Sequence, residues 1–552
     1  MKVASYARRS LAVFLVLAVL LACMSLAAAA EKPVKNVIFL MTDGTAASHI
    51  ALARWYKGGP LALDDILVGA VRTYSAESVI TDSAPAATAF ASGHKSNSKF
   101  LSILPAETSV PGVAAIGEGL KFKPVATVLE GAKLSGRAVG LVATSNIQHA
   151  SPAAFSAHTP YRDQYTLIAK QQVYGNIDVV FSAGTRYLLP TEAGGVRTDG
   201  ENLVDVLKGR DYAFVESRDQ MLALKRGKAW GLFAAEAMAN DMDRQLLAPR
   251  EPSLAEMTAK AIELLNQNNK GFFLFVEASK VDWASHANEP IGVISDLLAY
   301  DEAVRIALDF AKKDGQTLVL ACADHGNGGL AIGGPQVYSI YDKMPYDRLI
   351  TPLKQAALTG EGVAELLNDD RSDANIRLMM MRYYGLSDLT DAEVAKIKKA
   401  GKGRALAAVV GPMLSARSAI AWIYGGHTGE DVFLYAYGPG KPAGLIENTQ
   451  IAAITAKALG FDLAAVDREL FVPANEAFTA LGAKAVLDAS DANRPVLRAE
   501  KGVLRLELPV NTNILKLGQT AYLLPGLTVM IPQTGQVYVP QAALAIAKTA
   551  GF

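Results

Sequence analysis

One short segment presents a serine between an acidic residue and a run of helix-forming residues. Residues 81–89 read TDSAPAATA, and the serine is Ser83. Pro85 suits the first turn of a helix, so the pattern predicts a helix over residues 84–91 after a strand or buried approach that ends at Ile80. The free N–H groups at a helix start favour an alkoxide or a bound phosphoryl group. The segment therefore indicates a nucleophile at Ser83, and the ordinary alternative is a helix N-cap.

Four further motifs place Asp, Glu or His beside an apolar, β-branched or aromatic run. The runs and the polar residues beside them are residues 37–41 with Asp43, residues 272–276 with Glu277, Asp282 and His286, residues 317–322 with Asp324 and His325, and residues 432–435 preceded by Gly-Gly-His427-Thr-Gly. An open α/β sheet gathers its active site at the carboxyl ends of its strands, so we expect these side chains to meet in one cleft. Carboxylates and imidazoles together suit zinc, and oxygen ligands alone suit magnesium. Each residue alone is more often structural, but the joint pattern indicates a metal centre.

The distribution of these elements predicts an α/β fold, a doubly wound and mostly parallel sheet flanked by helices. Residues 31–474 are assigned to the catalytic domain. Within it, about residues 345–421 carry helical patterns, such as residues 391–399, and are expected to form an insertion near the active site. Residues 475–552 are predicted to form a small β-rich C-terminal module, because residues 503–508 alternate as in a half-buried strand. Whether this module is a structural cap or binds a surface stays open.

The motifs together resemble the alkaline phosphatase family over roughly residues 35–460. The resemblance rests on Asp-Ser-Ala around Ser83, Thr-Asp-Gly at Asp43, Glu-x4-Asp-x3-His from Glu277, Ala-Asp-His-Gly at Asp324 and Gly-Gly-His-Thr at His427. It implies hydrolysis of phosphate monoesters of broad range through a phosphoserine intermediate. It also implies two zinc ions and one magnesium ion as cofactors.

The resemblance further implies which residues hold these ions and the substrate. The implied ligands are Asp282, His286 and His427 for one zinc, Asp43, Asp324 and His325 for the second, and Asp43 with Glu277 and Ser151 for magnesium. Arg162, at the end of the segment that begins with Ser151, would be the phosphate clamp, with its guanidinium fork on two phosphoryl oxygens. One zinc would stabilise the Ser83 alkoxide, and the other would take up charge on the leaving alcohol.

Three positions depart from the best-known bacterial pattern of this family. His149 stands where that pattern has an aspartate near the magnesium, and Trp283 stands where it has a lysine after the zinc-binding Asp282. Ser151 replaces a threonine and keeps the hydroxyl ligand. Because an imidazole replaces a carboxylate, we expect the third site to hold magnesium less tightly. His149 and Trp283 are therefore assigned a role around the third site and the substrate rather than as ligands.

The first thirty residues have the composition of an export signal. A basic start precedes an apolar run over residues 11–24, and small residues end at Ala30, so we expect cleavage before Glu31 and an exported protein, periplasmic or extracellular. Residues 20–23 also resemble a lipoprotein box, which would end the signal at residue 22 and leave a lipid anchor on Cys23. An uncleaved membrane anchor is the third interpretation, although the apolar span is marginal for it.

Composition fits a large secreted enzyme. The chain has 552 residues, 51% of them hydrophobic, and a formal net charge of zero. It has neither a basic stripe nor an aromatic-basic array, which excludes a nucleic-acid-binding module of the usual kinds. Cys322 is the one cysteine beyond the signal and is expected to be a small core residue. The oligomeric state stays open, with a homodimer among the options.

Two other functions stay in play. The first is a relative of the same fold that acts on phosphodiesters or sulfate esters. Ser83-Ala84-Pro85 resembles the sulfatase motif, but Ala87 stands where that motif has an arginine. The second is a non-catalytic envelope-binding protein with structural metals. A complete set of nucleophile, arginine and open metal ligands argues against the second.

Overall fold

The computed structural model describes residues 33–367 and 369–552. The predicted export signal and the lipid-anchor position Cys23 lie outside these described residues. Within them, no single helix has the length and apolar character needed to cross a membrane. One pair of consecutive helices, Thr449–Leu459 and Leu463–Leu470, meets those two criteria together but is bent by 91°.

The strands, numbered along the chain, are β1 (Asn36–Thr42), β2 (Leu67–Arg72), β3 (Ala138–Asn146), β4 (Val179–Ala183), β5 (Ala213–Val215), β6 (Ala229–Leu232), β7 (Phe272–Ala278), β8 (Thr317–Ala323), β9 (Gly326–Asn327), β10 (Ala331–Ile332), β11 (Ile420–Ala421), β12 (His427–Thr428), β13 (Val432–Tyr437), β14 (Gly444–Glu447), β15 (Val472–Pro473), β16 (Lys484–Asp488), β17 (Val496–Lys501), β18 (Leu504–Pro509), β19 (Ile514–Leu517), β20 (Thr520–Leu523), β21 (Val529–Ile531) and β22 (Gln536–Val539).

The α-helices are α1 (Ala47–Lys57), α2 (Ser83–Ser92), α3 (Val128–Leu134), α4 (Ala150–Ala154), α5 (Tyr165–Tyr174), α6 (Leu203–Gly209), α7 (Arg218–Ala223), α8 (Asp241–Leu247), α9 (Leu254–Leu265), α10 (Lys280–His286), α11 (Pro290–Asp314), α12 (Tyr346–Lys354), α13 (Gly360–Leu367), α14 (Asp373–Met379), α15 (Asp391–Lys399), α16 (Arg404–Arg417), α17 (Thr449–Leu459), α18 (Leu463–Leu470), α19 (Ala474–Ala480) and α20 (Gln541–Thr549).

A ten-stranded sheet lies at the centre of the fold, in the order β14-β2-β13-β8-β1-β7-β3-β4-β6-β5. β1 pairs in parallel with β7 on one side and with β8 on the other. β13 runs antiparallel to β8, so the start of β13 lies at the same edge as the carboxyl ends of β1, β7 and β8. The predicted doubly wound, mostly parallel α/β sheet is confirmed. This edge is where an open α/β sheet binds its ligands.

The core fixes β1 from both faces of the sheet. Val37, Phe39 and Met41 belong to one apolar cluster, and Ile38 and Leu40 belong to the other, because side chains alternate along a strand. A strand buried on both faces needs the nearly continuous apolar run that β1 carries. Asp43, directly after β1, is therefore held on a rigid element.

Helices fill the segment that was predicted as an insertion. α12 to α16 pack around a core of their own that includes Leu353, Ile376 and Leu406. Helix α15 spans the residues 391–399 that the sequence pattern predicted. This core also contains Ile291 and Ile294 of α11, so the insertion is packed against the main fold rather than tethered to it.

The C-terminal part contains the expected small β-rich module. Strands β16 to β20 form a five-stranded antiparallel sheet, and α19 and α20 pack with it around Phe478. Asn511 and Asn513 bond to the main fold, with Gln171 donating to Asn511 at 2.9 Å and Arg210 donating to Asn513 at 3.0 Å. These contacts suit a structural cap, and the exact domain boundaries stay predictions.

Candidate active site

Ser83 is the first residue of α2, and Asp82 before it is the N-cap. The Ser83 side chain therefore is not the cap, and the N-cap alternative for it is wrong. Its Oγ lies 3.2 Å from Nε2 of His325, and the residue is 2% exposed. The hydroxyl is thus held at a helix N-terminus beside an imidazole.

The expected strand or buried approach before Ser83 is also wrong. Residues 73–82 form no strand, and Val79 and Ile80 are 66% and 43% exposed. The backbone of Val79 and the side chain of Ile80 lie against Gly429, two residues after His427. These apolar residues therefore lie at the surface instead of in the core.

Three buried carboxylates lie at the carboxyl ends of the central strands. Asp43 follows β1, Glu277 lies in β7 and Asp324 follows β8. Both oxygens of Asp43, both of Glu277 and Oδ2 of Asp324 are buried without a hydrogen bond among the described residues. Burial and neighbouring carboxylates raise the pKa of Asp43 well above its usual range, and burial raises the pKa of Asp324 to about 7 and that of Glu277 to about 8. Buried acids without partners are costly, so this cluster fits cations.

Gly44 keeps the cluster compact. Its φ of +65° suits glycine, and its N–H donates to Oδ1 of Asp324 at 3.1 Å. A Cβ at this position would lie 2.5 Å from Oδ1 of Asp282. The glycine after Asp43 thus lets two candidate ligand segments approach each other.

Asp282 and His286 share one face of α10, since they are four residues apart. Nε2 of His286 lies 3.3 Å from Oδ2 of Asp282, and Nε2 of His427 lies 3.6 Å from Oδ1 of Asp282. Burial alone would raise the pKa of Asp282, but the imidazoles around it hold that pKa well below its usual range. Against burial, Asp282 raises the pKa of His286 to about 8.

Backbone carbonyls orient the two outer imidazoles. Nδ1 of His286 lies 2.9 Å from the carbonyl of Gly425, and Nδ1 of His427 lies 2.9 Å from the carbonyl of Thr81. Both Nε2 atoms therefore face the site, and they are 3.2 Å apart. His427 lies in β12, and the pairing of β12 with β9 brings the His427 ring onto the His325 ring. The two ring centroids are 3.6 Å apart. A carbonyl on one ring nitrogen is the usual way to fix a metal-binding imidazole.

Three groups of ligand atoms lie close enough to share an ion. They are Asp282 with His325 and His427, Asp43 with Asp324 and His325, and Asp43 with His149 and Glu277. The second group is the set expected for one zinc. The first group contains Asp282 and His427, two of the three ligands expected for the other zinc, together with His325. His286, the third expected ligand, lies beside this group.

The third group differs from the expected magnesium set. His149, which the sequence analysis placed outside the ligands, lies within ligand distance of Asp43 and Glu277. Ser151 is buried with its Oγ free of hydrogen bonds among the described residues. Burial lowers the pKa of His149 to about 3, and the charge of Arg162 adds to this effect. His149 is therefore a neutral imidazole and joins the candidates for the third site.

Arg162 reaches the site beside Ser83. Its guanidinium pairs with Asp82, and its second terminal nitrogen lies 3.3 Å from Nε2 of His149. Burial would lower the pKa of Arg162, but Asp82 and Asp43 outweigh it and raise that pKa. The predicted phosphate clamp is thus a fixed cation next to the candidate nucleophile.

Buried His158 holds the segment that runs from Ser151 to Arg162. Its Nε2 lies 3.1 Å from Oε1 of Glu130, and its Nδ1 lies 3.0 Å from the carbonyl of Ser102. Burial opposes protonation, but Glu130 and the carbonyl outweigh it and raise the pKa of His158. Because the pKa of His158 is higher in the folded state, protonation of His158 stabilises the fold. This stabilisation is complete at a pH below the pKa of an unfolded histidine, about 6.5, and is lost as the pH rises through the pKa of folded His158.

We therefore expect Glu130→Gln to lower the free energy of unfolding by about 1 kcal/mol more at pH 6 than at pH 9. Urea unfolding at the two pH values measures this difference. Glu256→Gln is the matched control. Glu130 closes a capping box with Thr127, and Glu256 closes one with Ser253, but Glu256 pairs with Arg218, whose charge is constant over this range. Equal losses for Glu130→Gln at both pH values would contradict the assignment of charge to His158.

Trp283 lies between His149 and two cations. Its ring meets the His149 ring edge-on at 5.7 Å, Nζ of Lys280 lies 5.5 Å from its centroid, and the guanidinium of Arg404 lies 4.5 Å from it. Lys280 pairs with Glu361 at 2.9 Å. The insertion thus reaches the edge of the site through Arg404 and Glu361.

Sequence reasoning missed several of these neighbours. Asn327 donates from Nδ2 to Oδ1 of Asp282 at 2.6 Å, and its position just after Ala-Asp-His-Gly is a signal that could have found it. Arg404 comes from a distant helix and carries no local signal. Asp82 was used only to mark the Ser83 segment, and its ion pair with Arg162 needed the fold.

Comparison with known proteins identifies the family of this chain. The family model of alkaline phosphatase matches residues 34–461. Alkaline phosphatase 3 of Bacillus subtilis is 36% identical over 460 residues, which cover 79% of this chain and 92% of the relative. The crystal structure of Thermus thermophilus alkaline phosphatase has a TM-score of 0.67 at 26% identity and covers 78% of this chain and 93% of that one.

A second solved relative is the alkaline phosphatase of the Antarctic bacterium TAB5. A variant of it in which a histidine is replaced by aspartate is described with magnesium bound in the M3 site; it has a TM-score of 0.55 at 25% identity and covers 78% of this chain and 99% of that one. The expectations of family, fold class and enzyme class are confirmed. The chain belongs to the alkaline phosphatase family, whose members are metal-dependent phosphomonoester hydrolases.

Proposed function

We propose that the protein is an exported alkaline phosphatase that hydrolyses phosphate monoesters of broad range through a phosphoserine at Ser83. The observation that carries this proposal is the placement of the Ser83 hydroxyl. It lies 3.2 Å from His325, at the start of α2. His325 belongs to two of the three candidate ligand groups, and Arg162 lies on the other side beside Asp82.

The residues present fit two zinc ions and one magnesium ion. The buried oxygens of Asp43, Glu277 and Asp324 lack hydrogen bonds among the described residues, and imidazoles lie beside them. Mixed nitrogen and oxygen ligands suit zinc, while an oxygen-rich set suits magnesium. The proposed ligands are Asp282, His286 and His427 for one zinc, Asp43, Asp324 and His325 for the other, and Asp43, Glu277 and Ser151 for magnesium, with His149 beside them.

The chain's own residues bind the phosphoryl group and prepare the nucleophile. Bound metals would supply stabilisation of negative charge on the attacking and leaving oxygens. The first N–H groups of α2 favour an anionic oxygen at Ser83 and at the phosphoryl group. Arg162 can donate two parallel hydrogen bonds to phosphoryl oxygens, and Asp82 holds its guanidinium in place. Because a phosphoryl transition state is loose, such positioning supplies most of the catalysis, which supports a broad substrate range.

The proposal includes export. Its support is the composition of residues 1–30, a basic start followed by an apolar run and small residues. A periplasmic or extracellular protein follows, either cleaved before Glu31 or anchored by lipid on Cys23. Mass analysis of the mature N-terminus separates the two forms, and light scattering tests for a homodimer.

The proposal is tested by turnover of p-nitrophenyl phosphate, p-nitrophenyl sulfate and bis(p-nitrophenyl) phosphate, with metal analysis of the same sample. We expect the monoester to be preferred by on the order of 100-fold or more, with about two zinc ions per chain. Preference for the sulfate or the diester would favour the same-fold alternatives. A metal-loaded protein that turns over none of the three would favour the envelope-binding alternative.

We expect His149→Asp with Trp283→Lys to tighten magnesium and inorganic phosphate binding and to lower turnover. A carboxylate attracts a hard cation more strongly than a neutral imidazole, and a lysine adds a charge toward phosphate that slows product release. We propose that His149 corresponds to the histidine replaced in the TAB5 variant described with magnesium in its M3 site. Activity of the native protein should also rise when magnesium is added after dialysis.

A magnesium titration and a phosphate inhibition constant measure this prediction for both proteins. His94→Asp is a suitable control, because His94 follows the far end of α2 and is exposed. Unchanged magnesium affinity and unchanged phosphate inhibition in the double variant would show that these two residues do not tune the third site.

A further inference from the structure

A cavity of about 680 Å³ lies beside the candidate active site. Lys280 and Trp283 of α10 line it on the side of the site, and Arg404 of α16 and Glu361 of α13 line it on the side of the insertion. This volume falls in the usual range for pockets that take small molecules. The function proposed above gives no role to Lys280, Glu361 or Arg404, and it considers Trp283 only as the position where a lysine would add charge toward phosphate.

Trp283 connects this cavity to the phosphate clamp. His149 touches Arg162 on one side, at 3.3 Å between nitrogens, and meets the Trp283 ring edge-on at 5.7 Å on the other. The Arg404 guanidinium then covers the same indole ring at 4.5 Å. A substrate whose phosphoryl group lies on Arg162 can therefore extend along Trp283 toward Arg404.

Arg404 is the cation of this cavity that lacks an acidic partner. Lys280 pairs with Glu361, Glu236 pairs with Arg186, and Asp243 accepts two hydrogen bonds from Thr359. In the part of the chain that the structure describes, Arg404 takes part in no ion pair or side-chain hydrogen bond, and its contact is the face of Trp283. Stacking on an aromatic ring orients a guanidinium and leaves its five N–H donors free.

We propose that Arg404 and Trp283 form a subsite for a second anionic group, a carboxylate or a phosphate, on the leaving group of the substrate. This inference rests on the proposed phosphomonoesterase function. The insertion thereby adds selectivity that the metal site cannot supply, since the metal site would contact the phosphoryl group and the leaving oxygen but not the far end of the leaving group. Glu365 is an exposed carboxylate in the lining of the same cavity and disfavours further negative charge there, so the subsite suits one anion beside Arg404 and Trp283.

The test uses two matched substrates, 6-phosphogluconate and sorbitol 6-phosphate, which differ by a carboxylate in place of an alcohol at the far end. The ratio of their kcat/KM values is measured for the native protein, Arg404→Ala, Arg404→Lys and the control Lys402→Ala. Lys402 is two residues away, exposed and paired with Asp369, so it carries the same charge without facing Trp283. The same ratio, measured for fructose 1,6-bisphosphate and fructose 6-phosphate, tests a second phosphate in place of the carboxylate.

We expect Arg404→Ala to lower the ratio roughly fivefold, since a charge-assisted contact at an exposed site has a modest effect. Arg404→Lys should keep part of the preference, Lys402→Ala should keep all of it, and added salt should reduce it in the native protein. An unchanged ratio in Arg404→Ala, or an equal fall in Lys402→Ala, would overturn the subsite. Failure of the native protein to hydrolyse either monoester would instead overturn the proposed function.

Discussion

Ser83→Ala is expected to lower turnover of p-nitrophenyl phosphate by on the order of 10³-fold or more while leaving the bound metals in place. The hydroxyl of Ser83 is the only group lost, and the candidate ligands are carboxylates, imidazoles and the Ser151 hydroxyl, all on other elements. Ser83 is the first residue of α2 and is not its N-cap, so the helix should keep its stability. The loss should therefore appear in kcat at full metal content.

Two measurements make this result specific to the nucleophile. Metal analysis and thermal unfolding should match the native protein, and mass spectrometry after acid quenching should detect a phosphorylated Ser83 peptide in the native protein alone. Ser92→Ala is the matched control, because Ser92 is a buried serine at the other end of the same helix and donates to the carbonyl of Thr88. Native turnover in Ser83→Ala would overturn the covalent mechanism.

The elements that hold the carboxylates could be predicted because they are buried on both faces. β1, β7 and β8 each carry an apolar run that only a central strand needs, and each is buried along its length. Once such runs are placed in parallel, their carboxyl ends meet at one edge. Asp43 and Asp324 follow from this pattern alone, before any family resemblance is used.

The approach to Ser83 could not be predicted in the same way. Val79 and Ile80 have the composition of a buried segment, yet they lie exposed against Gly429, two residues after His427. Local composition reports the environment that a side chain prefers, and it does not report where the fold places the segment; exposed single apolar side chains are common on protein surfaces. The part of the segment that does follow local rules is the helix start at Ser83.

Contacts between segments that are distant in the chain could not be predicted from the sequence either. Arg404 lies on Trp283, and His149 lies within ligand distance of Asp43 and Glu277, because helices from different parts of the chain pack around the same edge of the sheet. The resemblance to a family placed His149 near the third site. Only the packing brings its ring nitrogen to the carboxylates.

His427→Ala is expected to remove one zinc per chain and to lower turnover by at least about 10²-fold. The variant leaves Asp282 and His286 as the protein ligands of that ion, and two ligands hold zinc weakly. The fold should persist, because β12 pairs with β9 through its backbone and the sheet has its own core. Both effects should therefore arise from the lost imidazole and not from unfolding.

Metal content, turnover and thermal unfolding of the same preparations separate these causes. In the presence of a chelator, the native protein and His427→Ala should unfold at similar temperatures. When zinc is added, the unfolding temperature of the native protein should rise more than that of His427→Ala, because a ligand stabilises the state that binds it. His94→Ala is the control for loss of an imidazole, because His94 is exposed beyond the far end of α2. Full zinc content in His427→Ala would mean that His427 is not a ligand. In that case hydrogen bonding alone would have to explain why Asp282, His325 and His427 lie together. Hydrogen bonding does not explain the neighbouring carboxylates, since buried oxygens of Asp43 and Asp324 have no hydrogen-bond partner among the described residues.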